Sequence, residues 1–378
     1  MNAWLAVFLA VSPLSATTPA ESALAQAQAL VSREPGQSAG YNALALAAAR
    51  RGVETADARF YQMADEALRQ SFAAEADNFE GRKSEVCLLL ARHEYAQAAE
   101  SAARLNRQVP DDVAVYGCLV DAHAGLGNYP EAISAAQWML KLRAGNPPGL
   151  ERAGRLREVS GDLAGALEAT GMAYDATPAS DIESRARLLT RMAHLNLAAG
   201  DPAESERFAH TALGLISGNS AALGALGEVR MVQKRYDEAA GLFRRQHDAA
   251  PRPQELFALA KALAAAGRSG EAVEIFAAFE REASAVSGQA DNANQELVAY
   301  YLDQAKAPLK ALAVARLEIA RRHDIFTLDC FARALNATGD STAARAQMAK
   351  ALAVGTADPE ILRHGREIGV GPSVAAAR

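Results

Sequence analysis

The chain of 378 residues is 50% hydrophobic and 22% charged, which is ample apolar material for a folded protein. A net charge of −6, with no long run of lysine or arginine, argues against nucleic-acid binding through a phosphate-neutralising surface. Cys87, Cys118 and Cys330 are scattered without metal-ligand spacing. They read as small buried hydrophobes, with a Cys87–Cys118 bridge as the alternative.

Residues 1–20, MNAWLAVFLAVSPLSATTPA, hold an uninterrupted apolar run from Trp4 to Val11, then Ser-Pro and small residues. This pattern predicts a secretory leader cut after Ala16 or Ala20, although no Lys or Arg opens it. The run is too short to span a bilayer. The alternative is an N-terminal helix on a cytoplasmic protein. Residues 21–37 contain ESALAQAQALVSRE, a lone helix with Ala23 in a small-residue position.

From residue 38 to 358 a period emerges. Small residues recur at Ala64, Ala98, Ala132, Ala166, Ser205, Ala239, Ala272, Ala311 and Ala344, with gaps of 34, 34, 34, 39, 34, 33, 39 and 33. The two longer gaps predict loops near 181–185 and 284–291. Five residues before each small residue stands a turn residue: His93, Gly127, Gly161, Gly200, Lys234, Gly267, Lys306 and Gly339. In the first unit Gly52 is twelve before Ala64, which predicts about seven extra residues in that turn. Eight before the turn sit the apolar knobs Leu44, Leu119, Met192, Leu226, Leu259, Val298 and Phe331, a column broken by Glu85 and Ala153. Pro35, Pro110, Pro178 and Pro251 close units, where a helix must stop. Trp138 is predicted to fill space between neighbouring units. Residues 359–378 begin with a short helix capped by Asp358, and the tail from Gly371 reads as frayed.

Helix–turn–helix units of this length, with this small-residue and proline pattern, resemble tetratricopeptide repeats over roughly 38–358. The arrangement AVYGCLVDAHAGLGNYPEA, SGDLAGALEA and RRHDIFTLDCFARALNATGD is similar to a group of bacterial repeat proteins, many of them exported. Val86 and Val120 depart from the family's preference for glycine or alanine, and the 291–325 unit matches poorly. The resemblance implies an all-α fold: an α-solenoid superhelix of eight or nine units with capping helices at both ends. It also implies that the first helices line a concave groove.

Six residues before each turn lies a column that is polar from Asp121 onward: Asp121, Arg155, His194, Glu228, Lys261, Tyr300 and Arg333. Two residues on, the helix has turned about 200°, so this column faces away from the apolar one. Arg187 and Arg191 join Arg155 and His194 as candidate groove residues, because arginine forks suit carboxylates. A solvated mixed-charge face would give the same pattern, with Glu151, Glu158 and Glu228 interleaved. The family's two-carboxylate clamp is not reproduced. No phosphate loop, nucleophile elbow or dinucleotide motif occurs. His93-Glu94-Tyr95-Ala96-Gln97 lacks the second histidine of a zinc-protease helix. The expected protein is therefore a non-catalytic binding scaffold without cofactor or metal, taking a protein or peptide in its groove. Export and a role in bacterial envelope assembly or secretion are expected; the alternative is a cytoplasmic adaptor, and an enzyme is the remaining class.

Overall fold

The computed structural model describes residues 17–371. Residues 1–16 of the expected leader and 372–378 of the tail lie outside the described residues. Within them are twenty α-helices and no strand. A single helix α1 (Pro19–Arg33) precedes nine antiparallel pairs. These are α2 (Ser38–Thr55) with α3 (Ala58–Ala74), α4 (Phe79–Ala91) with α5 (Tyr95–Gln108), and α6 (Val113–Leu126) with α7 (Tyr129–Leu142). Next come α8 (Pro147–Val159) with α9 (Leu163–Ala176), α10 (Ile182–Ala198) with α11 (Pro202–Leu215), and α12 (Ser220–Val232) with α13 (Tyr236–Ala249). The last are α14 (Pro253–Ala265) with α15 (Ser269–Val286), α16 (Asn294–Asp303) with α17 (Pro308–Ile319), and α18 (Ile325–Ala337) with α19 (Ser341–Leu352). A short helix α20 (Pro359–Ile368) ends the array.

Local chemistry explains the boundaries. Asp112, Asn146, Asp181, Asn219, Asp324 and Asp358 cap first helices and α20, each side chain accepting from a backbone N–H of the first turn. All eight predicted turn residues adopt positive φ, from 51° at Lys306 to 94° at Gly339. Glycine accepts that conformation without strain, whereas Lys234 holds it at φ 61°. Lys234 is exposed, so Lys234→Gly should stabilise the fold by about 1 kcal/mol, read from chemical denaturation. The nine small residues of the periodic column are all buried, at 0–3% exposure, where the two helices of each unit meet.

Three expectations need correction. The first unit has no enlarged turn: α2 runs on to Thr55 and the left-handed residue is Ala56, so the additional residues lengthen the helices. Tyr61 packs its ring over Gly52, inside α2, where a turn had been expected. The additional residues near 181–185 and 284–291 likewise lengthen α10 and α15, to 17 and 18 residues, as well as their loops. Trp138 is not a core filler. It is 45% exposed on α7, stacked on Tyr116, with Lys141 against its ring face.

The largest departure from a simple array is long-range. In an open solenoid each unit touches only its neighbours. Here the turns of the first four units dock onto the connectors five units further on. Arg252 donates to the Val53 carbonyl, 199 residues away. His93 Nδ1 lies 3.3 Å from Asp291. The His323 amide donates to the Leu126 carbonyl at 2.9 Å, and the Ile325 amide donates to the Tyr129 hydroxyl at 3.1 Å. Gly161 abuts the Gly355 carbonyl. One apolar core accordingly joins residues from Val86 to Leu156 with residues from Ala239 to Ile368. The second superhelical turn sits on the first, and the lumen between them stays open to solvent.

Candidate functional site

The candidate residues all lie on first helices: Asp121 on α6, Arg155 on α8, Arg187, Arg191 and His194 on α10, then Glu228, Lys261, Tyr300 and Arg333 on α12, α14, α16 and α18. None is buried. Asp121, Arg191, His194, Tyr300 and Arg333 are half-buried, and the other four are exposed.

Most of them are tied to the next unit. Arg152 Nη2 donates to Asp121 at 2.5 Å, and Arg152 Nε donates to both carboxylate oxygens at 3.1 Å. Arg155 reaches the same carboxylate at 3.3 Å. Glu151 pairs with Arg187 and Glu158 with Arg191, joining α8 to α10. His194 Nδ1 lies 3.2 Å from Glu228. Arg333 holds Asp303 at 2.8 Å and 2.9 Å. The Tyr300 hydroxyl donates to Glu280 at 3.3 Å, and Lys261 lies 5.0 Å from the Phe257 ring centre. Ion pairs thus join adjacent first helices from α6 through α8 and α10 to α12, and again α16 to α18. Two cations are in excess: Arg155, because Arg152 already saturates Asp121, and Lys261, which has no carboxylate partner among the described residues.

The structure also brings in groups from the other superhelical turn. Arg50 on α2 pairs with Glu183 on α10 across the lumen. Two cavities open there. One of about 330 Å³ lies between α6, α8 and residues 322–326 and 356–359. The other, of about 700 Å³, is bounded by the ends of α1 and α2, by α10, and by residues 216–221 and 246–255. Arg155 and Arg191 line both. Asp121 lines the first only, Arg187 and His194 the second only, and Glu228, Lys261, Tyr300 and Arg333 line neither. Seven arginines and eight carboxylates line the two cavities together, so the lumen has mixed charge and no net basic field.

Burial acts on these charges. It lowers the pKa of Arg187, and it lowers that of Arg191, where the like charge of Arg155 adds to it. Glu255, in the first turn of α14, is 7% exposed and lines the larger cavity. Its Oε2 has no hydrogen-bond partner, and its Oε1 is 3.9 Å from Arg252. Burial lifts its pKa from 4.5 to about 7. Sequence periodicity could not single out Arg252, Arg50 or Glu183, because the contacts of Arg252 with Val53 and of Arg50 with Glu183 depend on superhelical pitch, nor Glu255, which lies outside the polar column.

Away from the lumen, His364 Nδ1 lies 2.9 Å from Asp329 Oδ1, with both side chains buried. Arg363 contacts the other ring nitrogen at 2.8 Å, so this pair fastens α20 to α18.

Antiparallel helix pairs of this form, stacked in file with a small-residue interface, define an α-solenoid of the tetratricopeptide-repeat fold. No family model matches the sequence, and no curated protein does either. Solved structures match the fold. A chain of the APC/C hetero-tetramer Cut9–Hcn1 aligns over 78% of this chain at 12% identity, TM-score 0.53. This chain spans only 55% of that one. Human IFIT1 bound to PPP-AAAA aligns over 90% of this chain and 95% of its own, at 12% identity and TM-score 0.52. A monomeric IFIT1 mutant with Gppp-AAAA aligns over 88% and 86%, at 12% identity and TM-score 0.53. Among the described residues no helix is long and apolar enough to cross a membrane.

Proposed function

We propose that this protein is a non-catalytic binding scaffold that holds an extended peptide segment of a protein partner inside its lumen. The observation that carries the reading is Arg155, a half-exposed guanidinium in excess of its carboxylates at the junction of two cavities. A carboxylate of the partner, from a side chain or a C-terminus, would give that fork the bidentate acceptor it lacks. The alternating charges around it suit a peptide better than a polyanion such as RNA, which would meet eight carboxylates.

Site-specific photocrosslinking tests this. A photoreactive amino acid at position 155 should yield adducts with a partner in the native cell, and one at the outer-face position 138 should not. Adducts formed only from position 138 would overturn the lumenal reading. Charge reversal at Arg187 or Arg191 is the poorer test, since it would break the pairs with Glu151 and Glu158.

The same proposal puts the protein outside the cytoplasm, assisting bacterial envelope assembly or secretion. Its support is the apolar run Trp4–Val11 and the small residues after it. A cut after Ala16 keeps the Thr18 cap of α1, whose hydroxyl accepts from the Glu21 amide and donates to Glu54. A cut after Ala20 would remove that cap. Mass spectrometry of the mature N-terminus should therefore find Thr17 first, and an uncleaved Met1 would retire export.

A further inference from the structure

Glu255 stands twelve residues before its turn glycine, Gly267, and that register position is buried in every unit that has a predicted turn residue five before its small residue. Elsewhere in the column two units carry glycine, and Val115, Leu188 and Ala222 are apolar. Asn294 and Thr327 are polar but neutral, and they donate to Glu318 and Asp324. Only the unit of α14 sets an ionisable side chain there.

The larger cavity sets Glu255 apart a second time. Of the four carboxylates that line it, Glu54 is held by Arg51, Glu151 by Arg187 and Glu183 by Arg50. Glu255 is the exception. Its Oε2 has no hydrogen-bond partner among the described residues, and Nη1 of Arg252 stops 3.9 Å from Oε1. Arg252 turns its Nη2 to the Val53 carbonyl instead. The one lysine of α14, Lys261, lies against the Phe257 ring. Helix capping accounts for the residue only in part. Glu255 is third in α14 after the N-cap Arg252, where a carboxyl can reach back to the N-cap amide. A glutamine would cap as well without carrying a charge into a buried place, and capping leaves one oxygen over.

We propose that Glu255 is the seat of a primary ammonium group in the larger cavity, supplied by a lysine side chain or a free amino terminus. The inference deepens the peptide reading above and rests on it for what carries the ammonium. An ammonium is compact and has three donors, so it can serve Glu255 and still reach a neutral acceptor of the same wall, such as the Gln246 side chain. A guanidinium suits the place less well, because Arg252 already stands beside the other oxygen. Arg155 lines this cavity too. The lumen thus offers an acceptor for a cation on α14 and a donor for a carboxylate on α8, and a segment bearing both charges engages both.

The test is ligand-observed NMR on the full chain at pH 7.5, where Glu255 is mostly ionised and simple amines are mostly protonated. The probes are n-butylammonium, which is a lysine side chain without its backbone, and glycinamide, which stands for an amino terminus. Tetramethylammonium carries the same charge without an N–H. At least one probe should bind the wild type and bind Glu255→Gln about tenfold more weakly, the loss expected when one charge-assisted hydrogen bond goes. Tetramethylammonium should not displace it. Circular dichroism establishes that the variant is folded. Binding of n-butylammonium alone assigns the seat to lysine, and binding of glycinamide alone assigns it to an amino terminus. The proposal is overturned if neither probe distinguishes the two chains, or if tetramethylammonium competes equally. Adducts from position 155 without amine binding would retire the ammonium seat alone. Amine binding with adducts only from position 138 would retire the peptide reading alone.

Discussion

Gly127→Ala and Gly161→Ala should each cost roughly 2–4 kcal/mol more than Gly200→Ala, although the three glycines share one backbone conformation, at φ 83°, 82° and 86°. The penalty for a left-handed alanine, about 1–2 kcal/mol, is common to all three. What differs is the space. A Cβ on Gly200 meets nothing within 4 Å. On Gly127 it would lie 2.4 Å from the His323 carbonyl carbon and 2.5 Å from the Asp324 nitrogen, and on Gly161 2.4 Å from the Gly355 oxygen. Backbone cannot yield as a flexible side chain would, so the contact between superhelical turns must open. In Gly127→Ala the Ile325 amide then loses the Tyr129 hydroxyl, whose pKa burial now pushes up to about 12. Chemical denaturation measures the costs, and hydrogen exchange at the His323 and Ile325 amides locates them. Equal losses in all three variants would mean that the superhelical turns do not touch in solution.

This contact also separates what the sequence could reveal from what it could not. The small column from Ala64 to Ala344 and the turn residues from His93 to Gly339 answer local requirements. An alanine must sit where two axes approach, and a left-handed residue must end a helix, so both leave a mark every 34 residues or so. Even Lys234 and Lys306 kept their places in that pattern. Asp121, Arg155 and His194 were found by the same logic, because exposure on a helix is a matter of angle. The pairs of Arg187 with Glu151 and of Arg191 with Glu158 were partly visible too, since the two glutamates lie on the adjacent unit. The pairing of Arg50 with Glu183, or of Arg252 with Val53, leaves no such mark. It arises from small rotations summed over five units, and no local residue choice encodes that sum legibly. Trp138 misled for a related reason: a large aromatic residue on a second helix looks like core, and only the packed neighbour decides whether its ring finds cover.

Glu255→Gln should make the protein more stable at pH 8 by roughly 2–3 kcal/mol and leave it nearly unchanged at pH 4.5. The carboxyl titrates near 7 in the folded chain against 4.5 when exposed, because burial disfavours its charged form. Between those values the folded protein binds more protons than the unfolded chain. Stability therefore falls as pH rises from about 4.5 to 7, and levels off above that. A shift of this size corresponds to ~3 kcal/mol, and the attraction of Arg252 at 3.9 Å is already contained in it. Glutamine carries no charge to bury, so the variant should lose this part of the pH dependence in denaturation curves at several pH values. A wild type and variant with parallel pH profiles would refute the buried ionisation. The position of the cost ties it to binding. Glu255 faces the cavity that Arg155 also lines, and stability forgone beside a cavity is commonly the mark of a group kept for a ligand. A partner's ammonium or amide reaching Glu255 would offset the desolvation that the surrounding side chains impose. The more stable Glu255→Gln chain should accordingly crosslink its partner from position 155 less efficiently than the wild type at pH 8. If crosslinking is instead undiminished, the carboxyl serves neither the fold nor the proposed peptide.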